Sequence, residues 1–474
     1  MVSYKKTKIV GTIGPATENY QNLLRLKKSG LNVCRLNFSH GDHAEQQRKV
    51  DNIRKVRKET GRPLAILQDL CGPKIRIGEF SSGKVNLKKG QEFTLTTRKI
   101  MGDESKVHVS YKNITTDLKK GDDVLLDDGR ISMKVQRVSK TDIICRVNNS
   151  RTIGGKRGVN LPGANLKISS LTAKDKKDLD FAVKNQVDYI ALSFVRRPED
   201  IKELRSMLKR RRCDAQIISK IETHEAIDNL HAIIDASDGV MVARGDLAIE
   251  IPAEKVPLIQ KEIIGYCNIL GKPVITATQM LESMITSPVP TRAEVSDVAN
   301  AIIDGTDAVM LSEETTLGKY PIEAVKVMTR VASEVGSNSE VEFAANNGEG
   351  DGEVPVSDSI TASVVNIAQD VGARLIFAFT ESGFTARMIS RFRPDANIIA
   401  ATPNERTFQS LALISGCHPI MVKREKGLDK VMNIVRLHCI KKGLANKGDK
   451  VVITAGVPFN DKSIDTNMIL VEEI

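Results

Sequence analysis

Eight short apolar runs recur through the first 315 residues, and their spacing constrains the fold more than any other feature of the chain. They are "KIVGTIG" (8–14), "NVCRLNFS" (32–39), "LAILQDL" (64–70), "YIALSFV" (189–195), "QIISKIE" (216–222), "GVMVARGD" (239–246), "PVITATQM" (273–280) and "AVMLSEE" (308–314). Amphipathic segments such as "NYQNLLRLKKSG" and "PTRAEVSDVANAIIDG" separate them. Continuous apolar strands alternating with one-faced helices predict a parallel sheet covered on its outer side. Eight such units predict an α/β fold of the (β/α)8 TIM-barrel type. Seven runs end in polar groups: Asn37 and Ser39, Asp69, Ser193, Lys220 and Glu222, Arg244 and Asp246, Thr278 and Gln279, and Ser312 to Glu314. That rim is where barrels of this kind carry chemistry.

The unit spacing breaks once. Between the third and fourth runs lies a stretch of another texture, including "KVNLKKGQEFTLTT" and "KGDDVLLDDGRISMKVQRV". Alternating strands split by Lys-Gly and Asp-Asp-Gly turns predict an inserted small β-barrel or sandwich, placed to act as a lid. The Gly-, Asn- and acid-rich stretch after residue 336 reads as a linker, and a second strand–helix alternation follows it. The expected organisation is a catalytic barrel from 1–70 plus 168–336, an inserted lid domain over 71–167, a linker at 337–358 and a C-terminal α/β regulatory domain over 359–474.

The bulk properties exclude more than they propose. A chain of 474 residues is too long for one core. No window approaches the ~20 apolar residues of a membrane span, and the start lacks a signal-peptide core, so no membrane partner is expected. The net charge is +11, but only 4% of residues are aromatic and none is Trp, which disfavours nucleic-acid binding. Seven scattered Cys without a C-x-x-C pair fit free thiols in a reducing, cytoplasmic setting.

The densest chemistry lies in "ISKIET" and "MVARGDLAIEIP". Lys220 and Glu222 alternate around Ile221 and so share one face of a strand. Asp246 ends the neighbouring run. Two carboxylates on adjacent strand ends suit Mg²⁺, with waters and substrate oxygens completing the shell. A lysine beside them would stabilise negative charge on a substrate oxygen. A purely structural Lys–Glu pair joining two strands is the plain alternative; Arg244 and Asp246 alongside favour the metal-and-anion site. Arg35 and Arg76, at two other strand ends, could grip phosphate as planar forks or form surface ion pairs. Thr291 followed by Glu294 reads as a capping box. A metal, clustered cations and no nucleophile–base pair fit phosphoryl transfer or enolate chemistry.

Over nearly the whole chain, in order, "TKIVGTIGPAT", "NVCRLNFSHG", "LQDLCGPKIR", "GVNLPG", "SKIET", "MVARGDL" and "ITATQMLESMITSPVPTRAEVSDVANA" resemble the pyruvate kinase family. The resemblance implies transfer of the phosphoryl group of phosphoenolpyruvate to ADP, giving pyruvate and ATP in glycolysis. It implies that Glu222 and Asp246 hold Mg²⁺, replaceable by Mn²⁺, and that Lys220 stabilises the transferring group and the enolate. Arg35 and Arg76 would contact the phosphoryl group. Thr278 and the amides of Gly245 and Asp246 would hold the substrate carboxylate. ADP would lie among Pro15, Asn37, His40, Asp128 and Arg157. A homotetramer is implied.

The sequence departs from the family at one informative place. Many members carry Glu where this chain has Lys74, and bind K⁺ near the residues matching Asn37, Ser39 and Asp69. A tethered ammonium there implies the subtype that does not require K⁺, with Asp69 expected to pair with Lys74. In "FTESGFTARMISRFRP", Thr380, Ser382, Gly383 and Thr385 are the expected cradle for a sugar-phosphate effector. Phe384 and the late loop "GVPFNDKSIDTN" tilt that expectation toward a monophosphate. Two rivals share parts of the pattern. A Mg²⁺-enolate lyase or aldolase would use the same barrel and paired carboxylates but leaves the insert and Arg76 unexplained. A non-catalytic scaffold would not need Lys220, Glu222, Asp246 and Thr278 together.

Overall fold

The protein is described here by a computed structural model covering residues 5–337, 354–424, 427–456 and 466–474. Eight parallel strands close into a barrel: Lys8–Thr12, Val33–Asn37, Ala65–Asp69, Tyr189–Leu192, Gln216–Ile221, Gly239–Ala243, Val274–Ala277 and Ala308–Leu311. Each pairs with its neighbours in chain order, and the last returns to the first. All eight apolar runs therefore became barrel strands.

Alternation explains the layering. Val10, Val33, Leu67, Tyr189, Ile218, Met241 and Ile275 point inward and fill the barrel. Ile9, Cys34, Ile66, Ile190, Ile217, Val240 and Val274, one position away, pack outward against the helices. Complete burial of such side chains is worth ~1.5–3 kcal/mol each, so a one-residue slip of any strand would be costly. Helix ends are fixed locally. Thr291 and Glu294 form the expected capping box, with Thr291 Oγ1 accepting from the Glu294 amide at 3.2 Å.

Between the third and fourth barrel strands, two further sheets form. Lys84–Leu87 pairs with Arg151–Gly154, and a six-stranded sheet runs in the order 159–160, 123–126, 131–138, 142–147, 92–96, 106–108. They enclose a core of their own around Phe93, Leu95, Ile131, Met133 and Ile143. The Asp-Asp-Gly turn is tight, with Asp127, Asp128 and Gly129 all at positive φ (53°, 56° and 79°). Gly72 opens this insert at φ +66°, and a Cβ there would lie 2.8 Å from the Phe194 ring. Only glycine fits both the angle and the approach.

The C-terminal sheet orders Cys417–Met421, Asn397–Thr402, Leu375–Phe379, Lys450–Ala455 and Met468–Glu473, all parallel except the last strand. Its 3-10 turn Leu411–Leu413 seals the floor of the barrel, where Ala412 and Leu413 join the interior cluster. Tyr189 Oη donates to the Ser410 carbonyl at 2.7 Å, and Gln409 Oε1 accepts from the Leu64 amide at 2.9 Å. Arg393 reaches Asp307 at 3.0 Å, fixing the two parts further. Of the expected linker, residues 338–353 lie outside the described residues, as do 457–465 of the late loop.

Candidate active site

The C-terminal rim gathers a buried charge cluster around Lys220. Its ammonium lies 2.7 Å from Glu222 Oε1 and 3.6 Å from Asp69 Oδ1, and donates to Ser193 Oγ at 2.9 Å. Strand pairing explains this meeting. Lys220 is the penultimate residue of the fifth barrel strand, Ser193 follows the fourth, and Asp69 ends the third. Burial alone would lower the Lys220 pKa, but the Asp69 and Glu222 charges outweigh it and raise it above the ordinary lysine value. The group is therefore a fixed positive charge and not a base.

Asp69 is the hub of the cluster. Arg35 grips it with Nε at 2.7 Å and Nη2 at 2.6 Å, while Arg35 Nη1 donates to Thr12 Oγ1 at 2.8 Å. Burial would raise the Asp69 pKa, yet Lys220 and Arg35 hold it below the usual carboxylate range. This corrects one expectation. Asp69 pairs with Arg35 and Lys220, whereas Lys74 is exposed and forms no ion pair among the described residues. Lys74 instead lies beside the insert, its Cε 3.5 Å from where a Cβ of Gly158 would stand, with Asp128 Oδ1 at 3.8 Å from the same point. The reason is competition: Arg35 and Lys220 already take both oxygens of Asp69, while Lys74 lines the cleft that Phe194 and Asp246 share.

Glu222 accepts from the Phe194 amide at 2.7 Å through its second oxygen. Burial pushes its pKa up against the pull of Lys220, and the nearby Asp246 charge adds to that rise. Asp246 is half-buried in the first turn of the helix Arg244–Glu250. Among the described residues no three His, Cys, Asp or Glu side chains gather to hold a metal by themselves. Two carboxylates with open valences left for water and substrate oxygens nevertheless suit Mg²⁺, which takes few protein ligands.

Thr278 stands at φ 69°, an unfavourable region for a non-glycine residue, held by its neighbours. Its Oγ1 accepts from the Gly245 amide at 2.8 Å and donates to the Ala277 carbonyl at 2.6 Å. Arg244 clamps this turn. It meets both oxygens of Asp297 at 2.7 and 2.8 Å and donates to the Thr278 carbonyl at 2.8 Å. The sequence placed Arg244 within the charge cluster without its partner. Asp297 sits a helix away in sequence, and no local spacing ties it to Arg244.

The remaining expected residues are spread around the mouth. Arg76 donates to the Lys156 carbonyl at 3.0 Å and bridges to Gly158, so it belongs to the insert, whereas Arg35 lies in the barrel. Pro15, Ser39 and His40 are exposed at the rim, and Asn37 Oδ1 accepts from the Ser39 amide at 3.0 Å. Asp128 and Arg157 lie across on the insert, where Arg157 approaches Asp127 at 3.5 Å. In the C-terminal sheet, Thr380 Oγ1 accepts from the Gly383 amide at 2.9 Å, and Thr385 bonds Thr466 at 2.7 Å. Ser193 and Thr12 were the groups the sequence left without a role. Their hydroxyls matter only once the strands bring them to Lys220 and Arg35.

A barrel whose rim joins a charged lysine, an arginine fork and two carboxylates defines an enzyme that handles anionic, oxygen-rich substrates. Comparison with known proteins makes this specific. The family pattern described as "Pyruvate kinase, barrel domain" matches residues 4–325, and "Pyruvate kinase, alpha/beta domain" matches 358–472. A pyruvate kinase of Clostridium acetobutylicum is 43% identical over 472 residues, covering 99% of this chain and 100% of its own. One from Staphylococcus saprophyticus is 45% identical over 467 residues, 98% of this chain and 80% of the relative. A crystal structure of a pyruvate kinase from Cryptosporidium parvum superposes with a TM-score of 0.93 at 37% identity, covering 99% of this chain and 96% of that one. The chain belongs to the pyruvate kinase family and is a phosphotransferase of glycolysis. No described helix is long and apolar enough to cross a membrane.

Proposed function

We propose that this enzyme transfers the phosphoryl group of phosphoenolpyruvate to ADP at the Lys220 cluster, with Mg²⁺ and without a need for K⁺. The observation that carries the reading is the Lys220 ammonium, buried and charged between Glu222 and Asp69. A β-phosphate oxygen of ADP bonds to phosphorus as the bond to the substrate's enol oxygen breaks. The electron pair stays on the enolate, which takes a proton at its methylene carbon to give pyruvate.

Lys220 neutralises the charge growing on the bridging oxygen, and being already protonated it needs no proton transfer to do so. Arg35 and Arg76 hold the phosphoryl oxygens from the barrel and insert sides. Thr278, with the amides of Gly245 and Asp246, holds the carboxylate and leaves the methylene carbon facing the proton source. Glu222 and Asp246 are the residues to hold Mg²⁺, or Mn²⁺ in its place, which would neutralise phosphoryl charge. ADP lies between Pro15, Asn37 and His40 on the rim and Asp128 and Arg157 on the insert, which closes as a lid.

Independence from K⁺ rests on two observations. Asp69 already has cationic partners in Arg35 and Lys220, so it offers little to a further monovalent ion. Lys74 lines the cleft between insert and barrel that Asp246 also lines, so its charge stands at the edge of the site. A sugar phosphate at Thr380, Ser382, Gly383 and Thr385 and a homotetramer complete the reading. The apolar Leu437, 69% exposed on the helix Leu428–Lys441, supports self-association.

The test is pyruvate formation from phosphoenolpyruvate and ADP with Mg²⁺ in buffer free of K⁺ and NH₄⁺, repeated after adding KCl. Full turnover before KCl is expected for the wild type, and K⁺ dependence for Lys74→Glu. Turnover only with KCl would keep the reaction and remove the K⁺ claim. No turnover under either condition would remove the reaction.

A further inference from the structure

The segment Ser193-Phe194-Val195-Arg196 leaves the fourth barrel strand and touches both the charge cluster and the two stems of the insert. On the cluster side, Ser193 Oγ accepts from Lys220 at 2.9 Å and the Phe194 amide donates to Glu222 Oε2 at 2.7 Å. The Val195 carbonyl accepts from Thr223 Oγ1 at 3.3 Å, so the two chains are joined residue by residue. On the insert side, the same segment meets the chain as it enters and as it returns. At the entry, Ser193 Oγ donates to the Leu70 carbonyl at 2.7 Å, and the Phe194 ring lies 2.8 Å from where a Cβ of Gly72 would stand. At the return, Ser170 Oγ donates to the Phe194 carbonyl at 2.9 Å, and Arg196 donates to the Ile168 carbonyl.

Phe194 is where the two sides join. Its backbone stands at φ 53°, a region that a residue with a Cβ keeps only where its surroundings impose it. Those surroundings are the stems: Gly72 against the ring and Ser170, only 1% exposed, on the carbonyl. Freed from them, the residue would relax toward negative φ and its amide would turn away from Glu222. Glu222 would then keep Lys220 at 2.7 Å on one oxygen and lose the donor on the other. An aromatic side chain that only filled space would need neither the unfavourable backbone nor an amide aimed at a buried carboxylate.

We infer that Phe194 is a positioning residue whose peptide couples the stems of the insert to the Glu222 carboxylate. The inference rests on the reading of Glu222 as a holder of Mg²⁺. Stems packed on Phe194 keep Glu222 oriented through both of its oxygens, and stems that loosen release one of them. Linkage makes the coupling reciprocal, so a divalent cation on Glu222 favours the packed stems. The physical carrier is one peptide with two conformations that both sites bias.

The experiment is titration of Mn²⁺ into the full chain without substrate, followed by loss of the free ion's electron paramagnetic resonance signal. Hydrogen exchange at residues 70–72 and 166–171 is measured before and after saturation. Wild type, Phe194→Leu, Ser170→Ala and Glu222→Gln are compared. Groups that orient a metal ligand govern about 10–100-fold in metal affinity. Phe194→Leu should therefore bind Mn²⁺ about tenfold more weakly. Ser170→Ala, whose hydroxyl meets the cluster through Phe194, should bind it several-fold more weakly. In the wild type, both stems should exchange more slowly once Mn²⁺ is bound.

A merely structural role would lower the denaturant midpoint and leave Mn²⁺ affinity alone. Unchanged affinity in either folded variant would overturn the proposal, as would stem exchange that ignores Mn²⁺ in the wild type. Glu222→Gln separates this failure from that of the metal reading. Wild-type affinity in Glu222→Gln would remove the metal assignment and the coupling with it. Affinity lost in Glu222→Gln but kept in Ser170→Ala and Phe194→Leu would remove the coupling alone. Should Phe194→Leu not fold, Ser170→Ala must show the weakening by itself.

Discussion

Arg35 holds Asp69 by two contacts, at 2.6 and 2.7 Å, and the same carboxylate faces Lys220 at 3.6 Å from its other oxygen. One buried anion thus keeps two cations apart and in place. Asp69→Ala would leave Arg35 and Lys220 as like charges without it. Breaking a buried pair in this way costs ~3–5 kcal/mol. The denaturant midpoint should fall accordingly, with slope unchanged, and activity should fall with it. A midpoint within experimental error of the wild type would mean that Arg35 and Lys220 do not depend on Asp69.

Lys220→Met removes the charge that the proposed reaction needs and leaves the barrel strand intact. Loss of one preorganised electrostatic partner typically costs about 10²–10³ in turnover. That fall should appear in kcat far more than in KM, measured with saturating Mg²⁺. Ser193→Ala is the finer test. Removing the hydroxyl that accepts from Lys220 at 2.9 Å should reduce kcat less, with the fold retained by circular dichroism. If Lys220→Met kept wild-type turnover, the site would have to be placed elsewhere.

Arg244 acts through Thr278. Its bidentate contact with Asp297 and its bond to the Thr278 carbonyl brace a turn whose backbone is otherwise unfavourable, at φ 69°. Arg244→Lys keeps the charge but cannot span Asp297 and the carbonyl together. KM for phosphoenolpyruvate should rise several-fold while KM for ADP changes little. Equal changes in both would point to general loosening of the rim.

The barrel was legible because parallel strands buried on both faces must be continuous apolar runs, and eight such runs stand out. The capping box at Thr291 and Glu294 was legible for a similar reason, since its bonds span three residues. Polar contacts across the barrel were not. The Asp69–Lys74 expectation came from placing a tethered ammonium where K⁺ would bind, but Arg35 on the adjacent strand and Lys220 across the barrel mouth take Asp69. Arg244–Asp297 and Lys220–Ser193 likewise join positions that only the closed barrel makes neighbours.

The last prediction concerns the root of the insert. Asn160 donates to Glu250 Oε1 at 3.1 Å, on the same helix as Asp246, and His224 Nδ1 lies 3.5 Å from Glu250 Oε2 and 3.3 Å from the Gly163 amide. A neutral Nδ1 can accept from Gly163, whereas a protonated one must donate to Glu250, so the proton decides which side His224 holds. The bond to Glu250 raises the His224 pKa above its usual value. A raised basic group stabilises fully below its unfolded pKa of about 6.5 and loses that contribution as pH rises through its folded value. Hydrogen exchange of the amides at residues 160–165 should therefore change across that window, with Gly163 gaining protection as His224 turns neutral. In Glu250→Gln the transition should move to lower pH. A transition that stays in place would show that Glu250 does not govern the His224 proton.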